Sequence, residues 1–395
     1  MAKVYSKALE KHIEVDRIIG HIRGTLPGPT LVFTAGIHGN EPSGVFALRA
    51  VLNDIKRKKL RIKGNIYALS GNLTALEKGE RYTSRDLNRL WTEKILDQLF
   101  RQRLHAYDDD TLQQLDIYQT IKGILSADKG PFYFMDLHTT SCETMPFLTI
   151  NDTVLNRKFT SQYPVPIILG IEEYLEGPML SYINELGYVA FGFEGGQHDA
   201  REAIENHESF IYLSLALAGC LQPDDVEFDV HYKKLAALTG DKKEFYEIFY
   251  RYQVKELESF KMKPGFNNFQ HIPQGAELAT SNGKIVKSPA ASLIFMPLYQ
   301  NQGNDGFFCI RKIPKTFLKL SATLRKLRFD KLLVLLPGIR WTSPHQNALL
   351  VNKKIARFFT RQLFHLLGYR SRYIDKNHII MKNRESASRD EEYDL

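Results

Sequence analysis

Six apolar runs, at residues 30–37, 65–70, 131–137, 147–150, 166–169 and 188–194, alternate with stretches of helical pattern in the first half of the chain. Strands that alternate with helices run in the same direction, so this order predicts an α/β fold with a mostly parallel or mixed sheet flanked by helices. Three of these runs end on residues that make poor core and good chemistry. The first leads into His38-Gly39-Asn40-Glu41, the third is closed by His138, and the last closes on Glu194. In an open α/β sheet ligands collect at the carboxyl ends of the strands, and the pattern places these four groups there.

His38 and Glu41 lie within one turn, where a strand ends and a helix begins, so both side chains can face one cation. His138 follows Glu41 by 97 residues at the end of another strand-like run. Two imidazoles and one carboxylate give a tetrahedral zinc three protein ligands and leave one position for water, the open arrangement of hydrolytic sites. Glu194 then becomes the candidate base. Its competitors Glu172, Glu173, Glu176 and His198 lack its apolar approach at 188–193, which reads as a strand buried on both faces. His198 reads as a surface or loop histidine. Pro42 suits the first turn of the helix after Glu41, and Val45, Leu48, Val51, Leu52 and Ile55 mark that helix's buried face. Between the ligand segments runs the polar string Arg81-Tyr82-Thr83-Ser84-Arg85-Asp86-Leu87-Asn88-Arg89. Asp108-Asp109-Asp110 reads as a solvated helix end or loop.

Taken together, Gly36-Ile37-His38-Gly39-Asn40-Glu41-Pro42-Ser43-Gly44, the Arg81-Tyr82 to Asp86-Leu87-Asn88-Arg89 string, Asp136-Leu137-His138 and Phe193-Glu194-Gly195 resemble the succinylglutamate desuccinylase/aspartoacylase family. These are zinc amidohydrolases related to the carboxypeptidases. The resemblance implies one Zn2+ per chain, held by His38, Glu41 and His138, with Glu194 as the catalytic base. It implies that Arg81 polarises the scissile carbonyl and that Asn88 and Arg89 hold a substrate carboxylate. Tyr299 resembles the family tyrosine that reaches from a later domain into the pocket. Asp136, two residues before His138, fits a partner that orients an imidazole. The expected activity is deacylation of a small N-acyl amino acid or related carboxylate.

The chain departs from the family pattern in one respect. Residues 181–193 hold neither arginine nor lysine, although aspartoacylase-like members carry an arginine shortly before the base to read a second substrate carboxylate. Either another cation such as Arg201 does that work, or the substrate lacks that group. Two other functions compete with the deacylase. One is a carboxypeptidase-like hydrolase of short peptides; the other is a basic partner- or nucleic-acid-binding protein with a vestigial metal site. The complete ligand set counts against the second, so nucleic acid is not an expected partner.

A length of 395 residues suits more than one domain, and 43% hydrophobic with 25% charged residues are globular values. The expected division is a deacylase catalytic domain at 1–221, a β-rich capping domain at 222–345, a basic helical segment at 346–384 and a disordered tail at 385–395. Short strands are expected at 245–254, 284–286, 292–299 and 307–310, with Ser281-Asn282-Gly283 as a hairpin turn. Between Arg311 and Arg384 stand 18 Lys and Arg against 2 Asp and Glu, a surplus of 16 in a chain whose net charge is +8. Residues 349–367 read as a helix with a broad apolar face that wants a packing partner. No apolar run reaches a membrane span, the start offers no apolar signal core, and Cys142, Cys220 and Cys309 are scattered. These features point to a cytoplasmic protein with reduced thiols. Assembly into a homo-oligomer is compatible with the sequence but not specified by it.

Overall fold

Leu31 and Phe33 pack into one hydrophobic cluster with Tyr133, Met135, Phe191 and Phe193, while Val32 packs into another with Phe132, Phe134 and Ala190. Successive side chains of a strand point to opposite faces, so a run that is apolar at every position needs cover on both. Helices Ser43–Lys58 and Arg201–Leu217 cover the first face, and helices Asp109–Ala127 and Met179–Glu185 cover the second. The computed structural model describes all residues except 102–106, 343–345, 353, 356–363, 365, 374–376 and 395. All five expected core positions of the helix after Glu41 are buried.

The strands form an eleven-stranded mixed sheet. Its middle is the parallel set Lys63–Ser70, Leu26–Ala35, Phe132–Thr140 and Val189–Gln197, followed by antiparallel Phe147–Ile150. Register places Ala35 opposite Leu137 and His138 opposite Glu194. Paired positions on neighbouring strands point to the same face at a spacing of roughly 4.8 Å, so the third candidate ligand and the candidate base project side by side.

The β-rich region is hydrogen-bonded into this same sheet. Phe245–Gln253 runs parallel to Ile167–Leu169, and Asp305–Lys312, Ser292–Phe295 and His271–Ile272 follow it outward. The expected hairpin joins Glu277–Ser281 to Lys284–Lys287, with both Asn282 and Gly283 at positive φ, as a two-residue turn of the primed type requires.

Two expectations about the C-terminal region are corrected. Within 349–367 the described start is strand Ala348–Asn352, not helix, in a four-stranded sheet with Ile339–Trp341, His378–Asn383 and Tyr369–Tyr373. Leu349 and Val351 are buried while Leu350 and Asn352 are less so, a period of two that suits a sheet with one covered face. Phe358, Phe359 and Leu363 of that expectation lie outside the described residues. The tail, expected to be disordered at 385–395 from its polarity, packs over 385–394 onto the first half of the chain. Its aromatic residue decides this: the Tyr393 hydroxyl donates to the Phe132 carbonyl, accepts from the Val189 N–H at 3.1 Å, and its ring meets Tyr133 edge-on at 5.2 Å.

Candidate metal centre

His38, Glu41 and His138 are all buried, and one ligand atom from each lies within 4.8 Å of the others. The two imidazoles approach Glu41 through the same kind of nitrogen. His38 Nδ1 stands 3.0 Å from Glu41 Oε1 and His138 Nδ1 stands 3.1 Å from Glu41 Oε2. The remaining nitrogens are held from behind by carboxylates, His38 Nε2 by Asp86 at 3.1 Å and His138 Nε2 by Asp136 at 2.8 Å. A carboxylate behind an imidazole fixes its ring and tautomer and raises its basicity, the arrangement that metal-ligating histidines commonly have. Asp136 is itself oriented by the Thr34 hydroxyl at 2.7 Å. Mixed imidazole and carboxylate donors converging from buried positions fit a divalent ion of the zinc type, and these three residues could hold one.

Burial alone would drive the Glu41 carboxyl up, yet it lies well below the usual carboxylate range because His38 and His138 surround it. His138 moves well above the ordinary imidazole value, since the Asp136 and Glu41 carboxylates outweigh its desolvation. Glu194 moves the other way. Burial pushes its carboxyl up to about 8, with His138 and Arg81 opposing and Glu41 and Asp136 reinforcing. Its Oε2 is buried without a hydrogen-bond partner among the described residues.

The polar string 81–89 is built around a residue that the sequence reading set aside. Asp110, expected on a solvated helix end, is fully buried. It accepts hydrogen bonds from the Ser84 and Arg85 N–H groups at 2.7 and 2.8 Å, the Thr83 hydroxyl at 2.8 Å and Asn72 Nδ2 at 2.6 Å. This carries Arg81 to the ligands, where its guanidinium lies 3.3 Å from both Glu41 and Asp86. Asp86 then caps the short turn Leu87–Arg89 by accepting from the Asn88 N–H at 2.9 Å. Asn88 accepts from the Met179 N–H at 2.9 Å through its side chain, and Arg89 pairs with Asp305 at 3.0 Å. Arg85 is half exposed and pairs with Asp108.

One cavity of about 150 Å³ is lined by His38, Glu41, His138, Glu194, Arg81, Asn88 and Arg89. Tyr299 is not brought into it. The tyrosine hydroxyl is occupied outside, donating to the Lys263 carbonyl at 2.7 Å and accepting from the Phe266 N–H at 3.1 Å. The next residue, Gln300, turns in and meets His198 Nε2 at 3.0 Å and Asn40 Nδ2 at 2.9 Å. His198, read from sequence as a surface or loop residue, lines the cavity, though it is not part of the three-residue ligand cluster. Arg201 is exposed and faces Glu205 at 3.6 Å. Neither Gln300 nor His198 carried a local sequence signal.

Residues 27–207 match the profile of the succinylglutamate desuccinylase/aspartoacylase catalytic domain. The likeness to that family is carried by this segment, a little under half of the chain. The succinylglutamate desuccinylase of Yersinia pestis is 37% identical over 111 residues, which is 28% of this chain and 32% of that protein. The enzyme of the same name from Pseudomonas fluorescens is 44% identical over 64 residues, 16% of this chain and 19% of that protein. The chain therefore aligns with less than a third of the length of these curated relatives. A solved succinylglutamate desuccinylase/aspartoacylase structure from Rhodobacter sphaeroides shares the fold with a TM-score of 0.54 and 14% identity, covering 79% of this chain and 94% of that one.

Proposed function

We propose that the chain is a zinc-dependent hydrolase that cleaves the amide bond of a small N-acyl amino acid. The observation that carries this reading is the convergence of His38, Glu41 and His138 beside a buried Glu194 with a free carboxylate oxygen. A zinc ion on the three ligands, when bound, lowers the pKa of water toward about 7 and polarises a carbonyl oxygen. Glu194 is the base and then the acid: its unpartnered Oε2 takes a proton from the attacking water and delivers it to the leaving amine. A carboxyl whose affinity for protons is raised by burial suits both halves of that task. Arg81 has a buried Nε with no acceptor among the described residues, a fixed donor for the oxygen on which charge develops. Arg89 and Asn88 anchor the substrate carboxylate, since a guanidinium binds that group in a planar fork. A cavity of about 150 Å³ favours a compact substrate over a peptide chain.

The test is a screen of N-acetyl, N-succinyl and N-formyl amino acids against the zinc-loaded protein and its Glu194→Gln variant. The variant should lose roughly 10²- to 10⁴-fold in kcat while keeping its metal, measured by plasma mass spectrometry. A variant that deacylates as fast as the parent removes Glu194 from the mechanism.

A further inference from the structure

We propose that the recess beside the ligand cluster takes an uncharged, apolar side group, so that the substrate is an N-acyl amino acid with a single carboxylate. This deepens the hydrolase reading and rests on it. Besides the candidate ligands and the two arginines, the cavity is lined by Ile171, Leu175, Leu180, Met296, Leu298 and Phe308. The neutral side chains of Thr149, Asn151 and Ser181 also line it.

Cations are the deciding feature. Among the described residues the cavity lining holds two arginines, Arg81 and Arg89. Arg81 already faces Glu41 and Asp86, each at 3.3 Å. Arg89 faces Asp305 at 3.0 Å, and Asp305 lines the cavity and is shared with Arg251 at 2.5 Å. One substrate carboxylate can use the remaining donors of Arg89. A second would meet the Asp305 carboxylate, the apolar wall or neutral hydroxyl and amide groups, none of which supplies a compensating positive charge. Arg201 points to solvent and cannot compensate.

The apolar wall is also built at a conformational cost. Met296 sits at φ +48°, a left-handed conformation unusual for a side-chain-bearing residue, and its N–H is held by Asn268 Oδ1. Strained backbone of this kind clusters where a fold places a functional side chain.

The experiment is calorimetric titration of the full-length, zinc-loaded Glu194→Gln variant with N-acetyl-L-leucine and with N-acetyl-L-aspartate. The leucine derivative should bind at least about 10-fold tighter. Equal or tighter binding of the aspartate derivative, or no binding of the leucine derivative, overturns the proposal. Adding Leu180→Arg should narrow or reverse the preference, whereas Leu180→Ala should only weaken the leucine derivative; an unchanged preference with a folded Leu180→Arg protein also overturns it. If that variant does not fold, the titration of the single variant decides. Leucine-selective binding with no turnover of any amide by the parent sinks the hydrolase reading alone. Faster turnover of N-acetylaspartate than of N-acetyl-leucine sinks the recess assignment and leaves the hydrolase standing.

Discussion

His207 shows how a residue outside every motif can hold a site in place. It is fully buried on helix Arg201–Leu217, with Nε2 3.0 Å from the His138 carbonyl and Nδ1 3.3 Å from the Ser43 hydroxyl. The carbonyl can only accept, so Nε2 carries the proton and Ser43 donates to Nδ1. Burial pushes this imidazole down to about 4. The unfolded chain takes up a proton below its ordinary value near 6.5, while the folded protein refuses it until about 4. The stability contribution is therefore complete above pH 6.5 and is lost as pH falls toward 4. Between pH 7 and pH 5 the loss should be about 2 kcal/mol. Denaturant melts at both pH values, with His207→Gln beside the parent, isolate it; identical pH slopes in the two proteins would refute the assignment. At this scale His38 and Glu41 stood out because they directly follow an apolar run, and His138 and Glu194 because each closes one. Asp86, Asp110 and His207 were not, because the groups that need them lie far off in sequence, 48 residues away for Asp86 and His38.

The element that carries the first two candidate ligands is packed against backbone, not side chains. A Cβ on Gly39 would stand 2.0 Å from the Ala75 carbonyl carbon and 2.1 Å from its oxygen, on helix Leu73–Lys78. The Gly39 N–H also donates to the Arg81 carbonyl at 3.2 Å, tying the ligand loop to the arginine string. Backbone cannot move aside as a flexible side chain can. Gly39→Ala should destabilise the fold by about 3 kcal/mol and lower the zinc retained after dialysis; normal zinc content with an unshifted melting curve would show that the loop tolerates a methyl group. The strands were readable from their continuous apolar runs. The start of the 349–367 stretch was misread because dense apolar residues fit a helix or a strand, and only the neighbouring strand His378–Asn383 settles that 348–352 is a strand.

Across the whole molecule, the charge asymmetry is partly consumed inside the fold. Arg384, nearly fully buried, faces Glu172 at 2.9 Å, Glu173 and Asp152, and Arg325 faces Asp152 at 2.8 Å and Glu385 at 2.9 Å. Acids from the first half of the chain are thus matched by bases from the last quarter, and the tail contributes Glu385. Glu172 and Glu173 stand on the short turn Ile171–Glu173, whose Ile171 lines the cavity, so this network also braces a wall of the site. Removing one partner of a buried ion cluster leaves the others uncompensated. Arg384→Met should cost about 3–5 kcal/mol and lower the melting midpoint by about 5 °C or more; an unchanged midpoint would mean that the network contributes no net docking energy. No described helix is long and apolar enough to cross a membrane.

By itself the sequence determined the sheet and the residues at its rim, because a strand buried on both faces leaves an unbroken apolar run and whatever polar residue ends it stands out. Tertiary structure alone decided which carboxylates brace the histidines, that Gln300 and not Tyr299 turns into the cavity, and that residues 348–352 of the basic region form a strand over a small core of their own. Those outcomes depend on which distant segments come within a few ångströms of one another, and no local pattern of residues encodes that.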